Sequence, residues 1–156
     1  RVPFLLDATG SLLLNGMGAA PLLIKPNEEE YYATFGVRPS ATHEFCASYH
    51  RILQEHNILY GAVSLGEKGA LLLTPKTAWY SEPIHINVKG VQGAGDSMVS
   101  GFAYALDKKC TQGDQLLKMA VSCAHASLEL PGTQMCTMDG VERRLPLTPV
   151  RQLCVF

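Results

Sequence analysis

Val2-Pro3-Phe4-Leu5-Leu6-Asp7 and Leu22-Leu23-Ile24 are two short apolar runs, separated by one segment of helical composition at residues 11–20. Each run has the length and composition of a buried β-strand. A strand that is followed by a helix and a second strand forms a crossover, which places the two strands parallel in one sheet. This stretch therefore predicts an α/β fold built on a parallel sheet.

The rest of the chain predicts more elements of the same fold, within what its 156 residues suggest is one domain. Ser40 and Asp114 are the candidate N-caps of two of the helices. The strands expected after the crossover cover 58–64, 70–73, 78–80 and 84–88, the first two as a hairpin. The expected helices cover 28–36, 40–57, 98–106, 114–130 and 139–145, with a Pro-containing tail after the last.

Gly93-Ala94-Gly95-Asp96-Ser97 closes the β-rich part of the chain and opens an apolar helix. Its two glycines let backbone N–H groups approach an anion closely, and the helix directs the positive end of its dipole at the same point. Asp96 could accept a proton from an attacking hydroxyl while these N–H groups stabilise a phosphoryl group in transfer. Such turns also serve tight strand-to-helix packing and helix capping, so the motif alone leaves both interpretations open.

Lys25-Pro26-Asn27-Glu28-Glu29-Glu30 leaves the end of a strand, where ligands bind in open α/β sheets. Asn27 and Glu30 are one helical turn apart, so an amide oxygen and a carboxylate could both face a hydrated Mg²⁺. The same residues are also typical of the solvated, acidic start of a helix.

Val63-Ser64-Leu65-Gly66-Glu67-Lys68-Gly69-Ala70 places one hydroxyl and two glycines in a turn between strands. The Ser64 hydroxyl could donate to a phosphate, and the glycines leave the wall open for a nucleotide. An ordinary hairpin turn is the alternative.

The charge and composition exclude several classes of function. The formal net charge is −1 and the pI is near neutrality, which gives no support for capture of nucleic acid or of an anionic membrane. With no long apolar run and no signal-peptide pattern at its start, the chain is expected to be soluble and cytoplasmic. The five cysteines form no CxxC pair and are expected to be reduced thiols, and the histidine spacing does not favour zinc. No G-x-G-x-x-G follows the first strand, which argues against a dinucleotide-binding oxidoreductase.

Taken in order, four motifs resemble those of the PfkB (ribokinase-like) carbohydrate kinases, in the branch that holds 1-phosphofructokinase and tagatose-6-phosphate kinase. These motifs are Asp7-Ala8-Thr9-Gly10, Lys25-Pro26-Asn27 to Glu30, Ser64-Leu65-Gly66 to Gly69 and Gly93-Ala94-Gly95-Asp96. The resemblance covers essentially the whole chain but only the C-terminal half of the family's usual length. It implies a ribokinase-like three-layer α/β/α (Rossmann-like) sheet, with residues 1–156 as the C-terminal nucleotide-binding portion and the N-terminal sugar-binding and lid portion absent.

The resemblance also implies a role for each motif. Asp96 would be the catalytic base, and the N–H groups of Gly93, Ala94 and Gly95 would form the anion hole. Asn27 and Glu30 would act on Mg²⁺, mostly through water. The residues implied in ATP binding are Lys25 and the loop Ser64, Leu65, Gly66, Glu67, Lys68 and Gly69. The small residues Ala120, Ala124 and Ser127 fall where the family's last helices border adenine.

The implied activity is ATP-dependent phosphorylation of a sugar phosphate, with fructose 1-phosphate converted to fructose 1,6-bisphosphate. Tagatose-6-phosphate or 6-phosphofructokinase activity, or a catalytically incomplete nucleotide-binding fragment, are the alternatives. The expected partners are ATP and a phosphorylated ketohexose, with homo-oligomerisation or association with the missing N-terminal half. Gly90-Val91-Gln92 departs from the family, which usually has Ser or Thr just before the glycine motif, and the roles of Lys89 and Gln92 stay open.

Overall fold

The computed structural model describes residues 2–156, and their contacts divide the chain into two compact units. The first unit holds residues up to Tyr80 together with Gln152–Phe156, and the second unit is Ser81–Arg151. Both boundaries fall inside β-strands, which explains why no change of composition or linker marks them in the sequence.

Six strands form one mixed sheet in which spatial order follows chain order. β1 is parallel to β2, with Leu5 opposite Leu23, and β2 is parallel to β3, so the crossover prediction is confirmed. β4 runs antiparallel to β3, which confirms the predicted hairpin. The strands are β1 Leu5–Leu6, β2 Leu23–Ile24, β3 Tyr60–Ser64, β4 Ala70–Leu73, β5 Thr77–Ser81 and β6 Val150–Val155.

The helices are α1 Gly10–Met17, α2 Glu28–Phe35, α3 His43–Glu55, α4 Ala94–Asp107, α5 Gly113–Leu128 and α6 Met138–Arg144. The two predicted N-caps are wrong. Thr42 caps α3 by accepting a hydrogen bond from the Phe45 N–H, while the Ser40 hydroxyl pairs with that of Thr42. Asp114 lies in the first turn of α5, where its negative charge still suits the helix dipole.

The core of the first unit is aromatic on its helical side. Tyr31 of α2 contacts Phe45 and Tyr49 of α3 edge-on, with ring centroids 5.2 and 5.0 Å away. These rings and the buried face of α1 pack in one cluster with Ile24, Val63, Leu71 and Leu73 of the sheet. Burying an aromatic or aliphatic side chain of this size contributes about 1.5–3 kcal/mol, so this cluster dominates the stability of the unit.

The second unit is built on the pair α4 and α5. A Cβ added to Gly101 would lie 2.7 Å from the Ala120 Cα and 2.9 Å from the Cys123 Sγ, so glycine is what lets the two backbones approach. Buried Phe102 of α4 and Leu116 of α5 belong to the core. α6 packs on the other end of α5 through Val141.

Two sequence predictions are wrong in the second half of the chain. The segment 84–88 has no regular structure: its apolar alternation is visible, with Ile84 and Ile86 half-buried, but within residues 2–156 no strand pairs with it. Alternation alone does not make a strand, because the backbone N–H and C=O groups need a neighbouring strand. Conversely, the tail forms β6 after Pro149.

None of the helices within residues 2–156 combines the length and the apolar character needed to span a bilayer. All five cysteines are free in the structure.

Candidate functional site

The start of α4 is an uncapped helix N-terminus held by a glycine. Gly93 has φ +82° and ψ −5°, a left-handed conformation that side chains disfavour, and its carbonyl accepts the Ser97 N–H at 2.8 Å. No side chain in the described residues caps this helix, so the N–H groups of its first turn remain available to an anion. The Asp96 side chain therefore does not cap the helix.

Asp96 is the third residue of α4 and is exposed. Its own carbonyl accepts a hydrogen bond from the Ser100 hydroxyl at 2.9 Å, while no residue of the described chain pairs with its carboxylate. A solvent-facing carboxylate beside free N–H groups has the chemistry of a proton acceptor next to an anion cradle.

The Gly93 turn rests on the segment that follows α5. The Met135 Sδ lies 3.3 Å from the position of a Cβ on Gly93, and the buried Ser97 hydroxyl donates to the same sulfur at 3.8 Å. The Ser127 hydroxyl donates to the Gln134 carbonyl at 3.1 Å, which ties this segment to α5. Sequence reasoning missed this support, since Pro131-Gly132 indicated only a helix end.

The approach to the turn is tied to the last residue of α5 and to the segment that follows it. The Lys89 N–H donates to the Leu128 carbonyl at 2.8 Å, and a Cβ on Gly90 would lie 2.8 Å from the Gly132 carbonyl oxygen. Gly90 therefore lies at a point where two stretches of backbone meet closely. The Lys89 side chain is exposed.

In the first unit, the predicted residues gather at the carboxyl ends of β2 and β3. An isolated parallel bridge joins Asn27 to Ser64, and the Ser64 N–H donates to the Pro26 carbonyl at 3.3 Å. The Lys25-Pro26-Asn27 triplet and the Ser64 loop are thus adjacent, as expected for parallel strands that end at one edge of a sheet.

Lys25 is buried, with 3% of its side chain exposed, and its Nζ lies 3.3 Å from the Asp7 Oδ2. A buried ammonium needs an opposite charge, because desolvation otherwise penalises the charged form. The Asp7 carboxylate is 31% exposed and provides that charge from the end of β1. The sequence motifs contained both residues but did not indicate that they pair.

Asn27 and Glu30 form a reciprocal capping box at the start of α2. The Asn27 Oδ1 accepts the Glu30 N–H at 2.9 Å, and the Glu30 Oε2 accepts the Asn27 N–H at 2.7 Å. Among the described residues, no donor reaches the second carboxylate oxygen, Oε1, and no group of three or more His, Cys, Asp or Glu could hold a metal. This donor set does not make a closed cage, but it fits hydrogen bonds to the water shell that Mg²⁺ retains.

The loop after β3 is a single 3₁₀ turn at Gly66–Lys68 with glycines at both ends in positive φ, +59° for Gly66 and +96° for Gly69. The exposed Lys68 ammonium pairs with both oxygens of Glu28 at 2.7 and 2.8 Å, which ties the loop to α2. Glu67 is exposed, whereas the Leu65 side chain is buried in the core. Of Leu65, only the backbone is therefore available to a ligand.

The site residues predicted from the sequence fall into two groups. Those assigned to ATP and Mg²⁺ belong to the first unit, and Gly93 to Asp96 belong to the second. A surface cleft of about 320 Å³ in the first unit, lined by His50, Leu53 and Pro75 among others, includes none of them.

Comparison with known proteins gives a consistent family. The model of the pfkB family carbohydrate kinases matches residues 1–139. The chain is 32% identical to 1-phosphofructokinase of Escherichia coli K12 over 118 residues, 76% of this chain and 37% of that protein. It is 29% identical to 1-phosphofructokinase of Haemophilus influenzae over 154 residues, 96% of this chain and 48% of that protein. The chain thus spans less than half the length of these curated relatives.

Solved structures show the same fold. Phosphofructokinase-2 from Escherichia coli, in complex with substrates and products, superposes with a TM-score of 0.83 at 23% identity, over 93% of this chain and 47% of that one. A tetrameric inhibited form of the same enzyme gives 0.80 at 21% identity, over 94% and 46%. The predicted ribokinase-like α/β class is confirmed by these neighbours. On the family match over residues 1–139 and the identity with 1-phosphofructokinase, this chain belongs to the pfkB family of carbohydrate kinases.

Proposed function

We propose that this chain is the nucleotide-binding portion of an ATP-dependent 1-phosphofructokinase, which transfers the γ-phosphoryl group of ATP to fructose 1-phosphate. The observation that carries the proposal is the uncapped N-terminus of α4 at Gly93, with the exposed Asp96 carboxylate in its first turn. The relatives named 1-phosphofructokinase support this choice of sugar over tagatose 6-phosphate or fructose 6-phosphate.

In the proposed mechanism, Asp96 accepts the proton of the sugar hydroxyl as that hydroxyl attacks the γ-phosphorus. The N–H groups of the N-cap Gly93 and of Ala94 and Gly95 in the first turn bind the oxygens of the phosphoryl group, which carry negative charge during transfer. Because these groups are fixed by the helix, they need no rearrangement when the charge develops.

In the first unit we assign the triphosphate to Lys25, the Ser64 hydroxyl and the glycine loop through Gly69. Gly66 and Gly69 carry no Cβ and sit in backbone conformations that let the loop turn away from the ligand. Asn27 and Glu30 would hold Mg²⁺ through its water shell, and the ion supplies charge neutralisation on the phosphates when bound.

The test of the base is Asp96→Asn in the full-length protein, with Asp107→Asn at the exposed last residue of α4 as the matched control. We expect kcat with fructose 1-phosphate to fall by about 10²–10⁴-fold in Asp96→Asn, with ATP affinity retained and the control at parental rate. Near-parental turnover in Asp96→Asn refutes the base assignment. Assays of the parent with fructose 1-phosphate, fructose 6-phosphate and tagatose 6-phosphate decide the sugar.

A second candidate follows from the length of the chain: a nucleotide-binding portion that transfers phosphate only together with a complementary N-terminal half. The match to less than half of each curated relative favours it. ATP binding by the 156-residue chain without phosphoryl transfer, and recovery of transfer on adding the separately expressed N-terminal half, would support this candidate. Transfer by the 156-residue chain alone would refute it.

We expect a cytoplasmic enzyme with ATP and a phosphorylated ketohexose as its partners. Homo-oligomerisation is a further possibility to test, since one neighbour of this fold is tetrameric. Light scattering after size-exclusion chromatography of the full-length protein measures the oligomeric state directly.

A further inference from the structure

The sulfur of Met135 lies beside both ends of the Gly93 turn. The Sδ lies 3.3 Å from where a Cβ on Gly93 would be, and it accepts the hydroxyl of the buried Ser97 at 3.8 Å. Gly93, which belongs to the proposed anion hole, and Ser97 flank Ala94, Gly95 and Asp96, and they are joined by the Ser97 N–H to Gly93 carbonyl bond. One thioether therefore lies next to both residues that flank this stretch.

Met135 is also accessible. Of the five methionines, Met17 and Met98 are fully buried, and within residues 2–156 only Met135 and Met138 are classed as exposed, at 43% and 47%. Met138 is at the start of α6 and is not among the three nearest neighbours of a Cβ on Gly93. The two residues are thus exposed to a similar degree, and the sulfur of one of them lies beside the turn.

We propose that Met135 is a modification site, at which oxidation by a peroxide displaces the Gly93 turn and switches off phosphoryl transfer. A lone pair of Sδ attacks one oxygen of hydrogen peroxide, the O–O bond breaks and an S–O bond forms. The other oxygen leaves as water with both protons, so the sulfur is oxidised by two electrons and the peroxide is reduced. The consequence for activity rests on the proposed function, whereas the contact and its disruption do not.

The physical reason is that a sulfoxide does not fit the contacts of a thioether. The added oxygen needs room around a sulfur that lies 3.3 Å from the position a Cβ on Gly93 would take and 3.8 Å from the Ser97 hydroxyl. It is also a strong hydrogen-bond acceptor, whereas a thioether is a weak one, so it competes for the Ser97 hydroxyl and converts a flexible apolar side chain into a polar one. Both effects move the residues that bracket Asp96.

The experiment treats the full-length protein with hydrogen peroxide, removes the excess with catalase and reduces the sample with dithiothreitol. The reductant reverses sulfenic acids and disulfides at the five cysteines, whereas methionine sulfoxide needs methionine sulfoxide reductase. Peptide mass mapping measures oxidation at Met135 and Met138, and kcat is measured before and after repair by the reductase. Met135→Leu and Met138→Leu are the matched variants.

In the parent and in Met138→Leu, we expect kcat to fall in proportion to the fraction of Met135 that is oxidised and to recover after repair. At full oxidation the loss should be about 100-fold, which is typical of catalytic groups misplaced by about 1 Å. Met135→Leu should keep its own starting activity through the treatment. Met135→Gln places a polar hydrogen-bond acceptor at this position without any oxidation, so its kcat should be low before peroxide is added. This variant tests the proposal if Met135→Leu does not fold. The proposal is overturned if peroxide lowers kcat in Met135→Leu as much as in the parent, or if Met135 of the parent is fully oxidised with no fall in kcat.

Hydrogen exchange separates this proposal from the kinase assignment. Oxidation should raise amide exchange at residues 93–97 in the parent and in Met138→Leu but not in Met135→Leu, whether or not any sugar is phosphorylated. If amide exchange at residues 93–97 is unchanged when Met135 is fully oxidised, Met135 does not support the turn. If exchange rises in a protein that phosphorylates no sugar, only the proposed function is refuted.

Discussion

Replacing Gly101 by alanine should destabilise the second unit, because the methyl group has no space between α4 and α5. A Cβ there would lie 2.7 Å from the Ala120 Cα and 3.1 Å from the Met119 carbonyl oxygen, well inside the 3.4 Å at which ordinary contact begins. Both neighbours are main-chain atoms, so no side chain can rotate away and the two helices must separate. The contact with the Cys123 Sγ at 2.9 Å opposes the same movement.

The magnitude follows from two opposing effects. Overpacking a well-packed interface costs about 1–3 kcal/mol, and backbone contacts place this case at the upper end. Alanine regains about 0.5–1 kcal/mol of helix propensity over glycine. We therefore expect the free energy of unfolding to fall by about 2 kcal/mol, or the melting temperature by about 6 °C for a chain of this size.

Urea unfolding followed by circular dichroism at 222 nm measures this change, with calorimetry as a second probe. Ser100→Ala is the matched control: it is the adjacent, exposed position of α4 and gains helix propensity without a clash. A urea midpoint for Gly101→Ala equal to or above that of the parent would refute the reasoning, because the two helices would then accept the added methyl group without loss of stability.

Three further changes test other contacts. Asn27→Ala removes half of the capping box with Glu30 and should cost about 1 kcal/mol in urea unfolding. Asp7→Asn should lower the free energy of unfolding by about 2 kcal/mol, which is less than the cost of breaking a fully buried ion pair because Asp7 is partly exposed. Lys25→Met should change the free energy of unfolding little and should lower ATP affinity in calorimetric titration. Burial first, and then the nearby Arg144 charge, lower the pKa of His125 to about 4, so thermal stability should fall as the pH drops from 6.5 towards 4.

The sign of the histidine prediction follows from which state binds the proton. With its pKa lowered in the folded chain, His125 stays neutral there while the unfolded chain protonates below its ordinary pKa, so acid favours unfolding. His125→Gln should flatten the melting temperature over this pH range. If the melting temperature of His125→Gln falls with decreasing pH as steeply as that of the parent, other groups cause the acid sensitivity.

The capping and ion-pair predictions have their own contradicting outcomes. Asn27→Asp keeps a capping oxygen and should retain stability, so an equal loss in Asn27→Asp and Asn27→Ala would contradict the capping argument. For the Asp7 pair, unchanged ATP affinity in Lys25→Met would leave Lys25 with a structural role only.

Most of the local structure of the first unit could be predicted from short segments. α2 is an example, since its acidic first turn and Gly36 with φ +72° at its end are signals carried by neighbouring residues. The crossover of β1 and β2 was equally readable, because it depends on chain order alone. The N-cap of α3 was misassigned because Ser40 and Thr42 are both good capping residues, and only the backbone path distinguishes them.

Other features depended on distant partners. Segment 84–88 and β6 have comparable apolar content, yet only β6 lies next to a strand that completes its hydrogen bonds. The pairing of Lys25 with Asp7 and the contact of Met135 with Gly93 join residues 18 and 42 positions apart, and no local pattern specifies them.

The sequence by itself determined the α/β class and the family and predicted a role for the Gly93 to Asp96 turn, because glycine conformation, helix dipoles and motif order are properties of adjacent residues. Only the tertiary structure decided that this turn is uncapped, that a methionine from beyond α5 supports it, and that Asn27 and Ser64 end side by side. The physical reason is that packing and strand pairing join residues far apart along the chain, and these contacts exist only once the chain has folded.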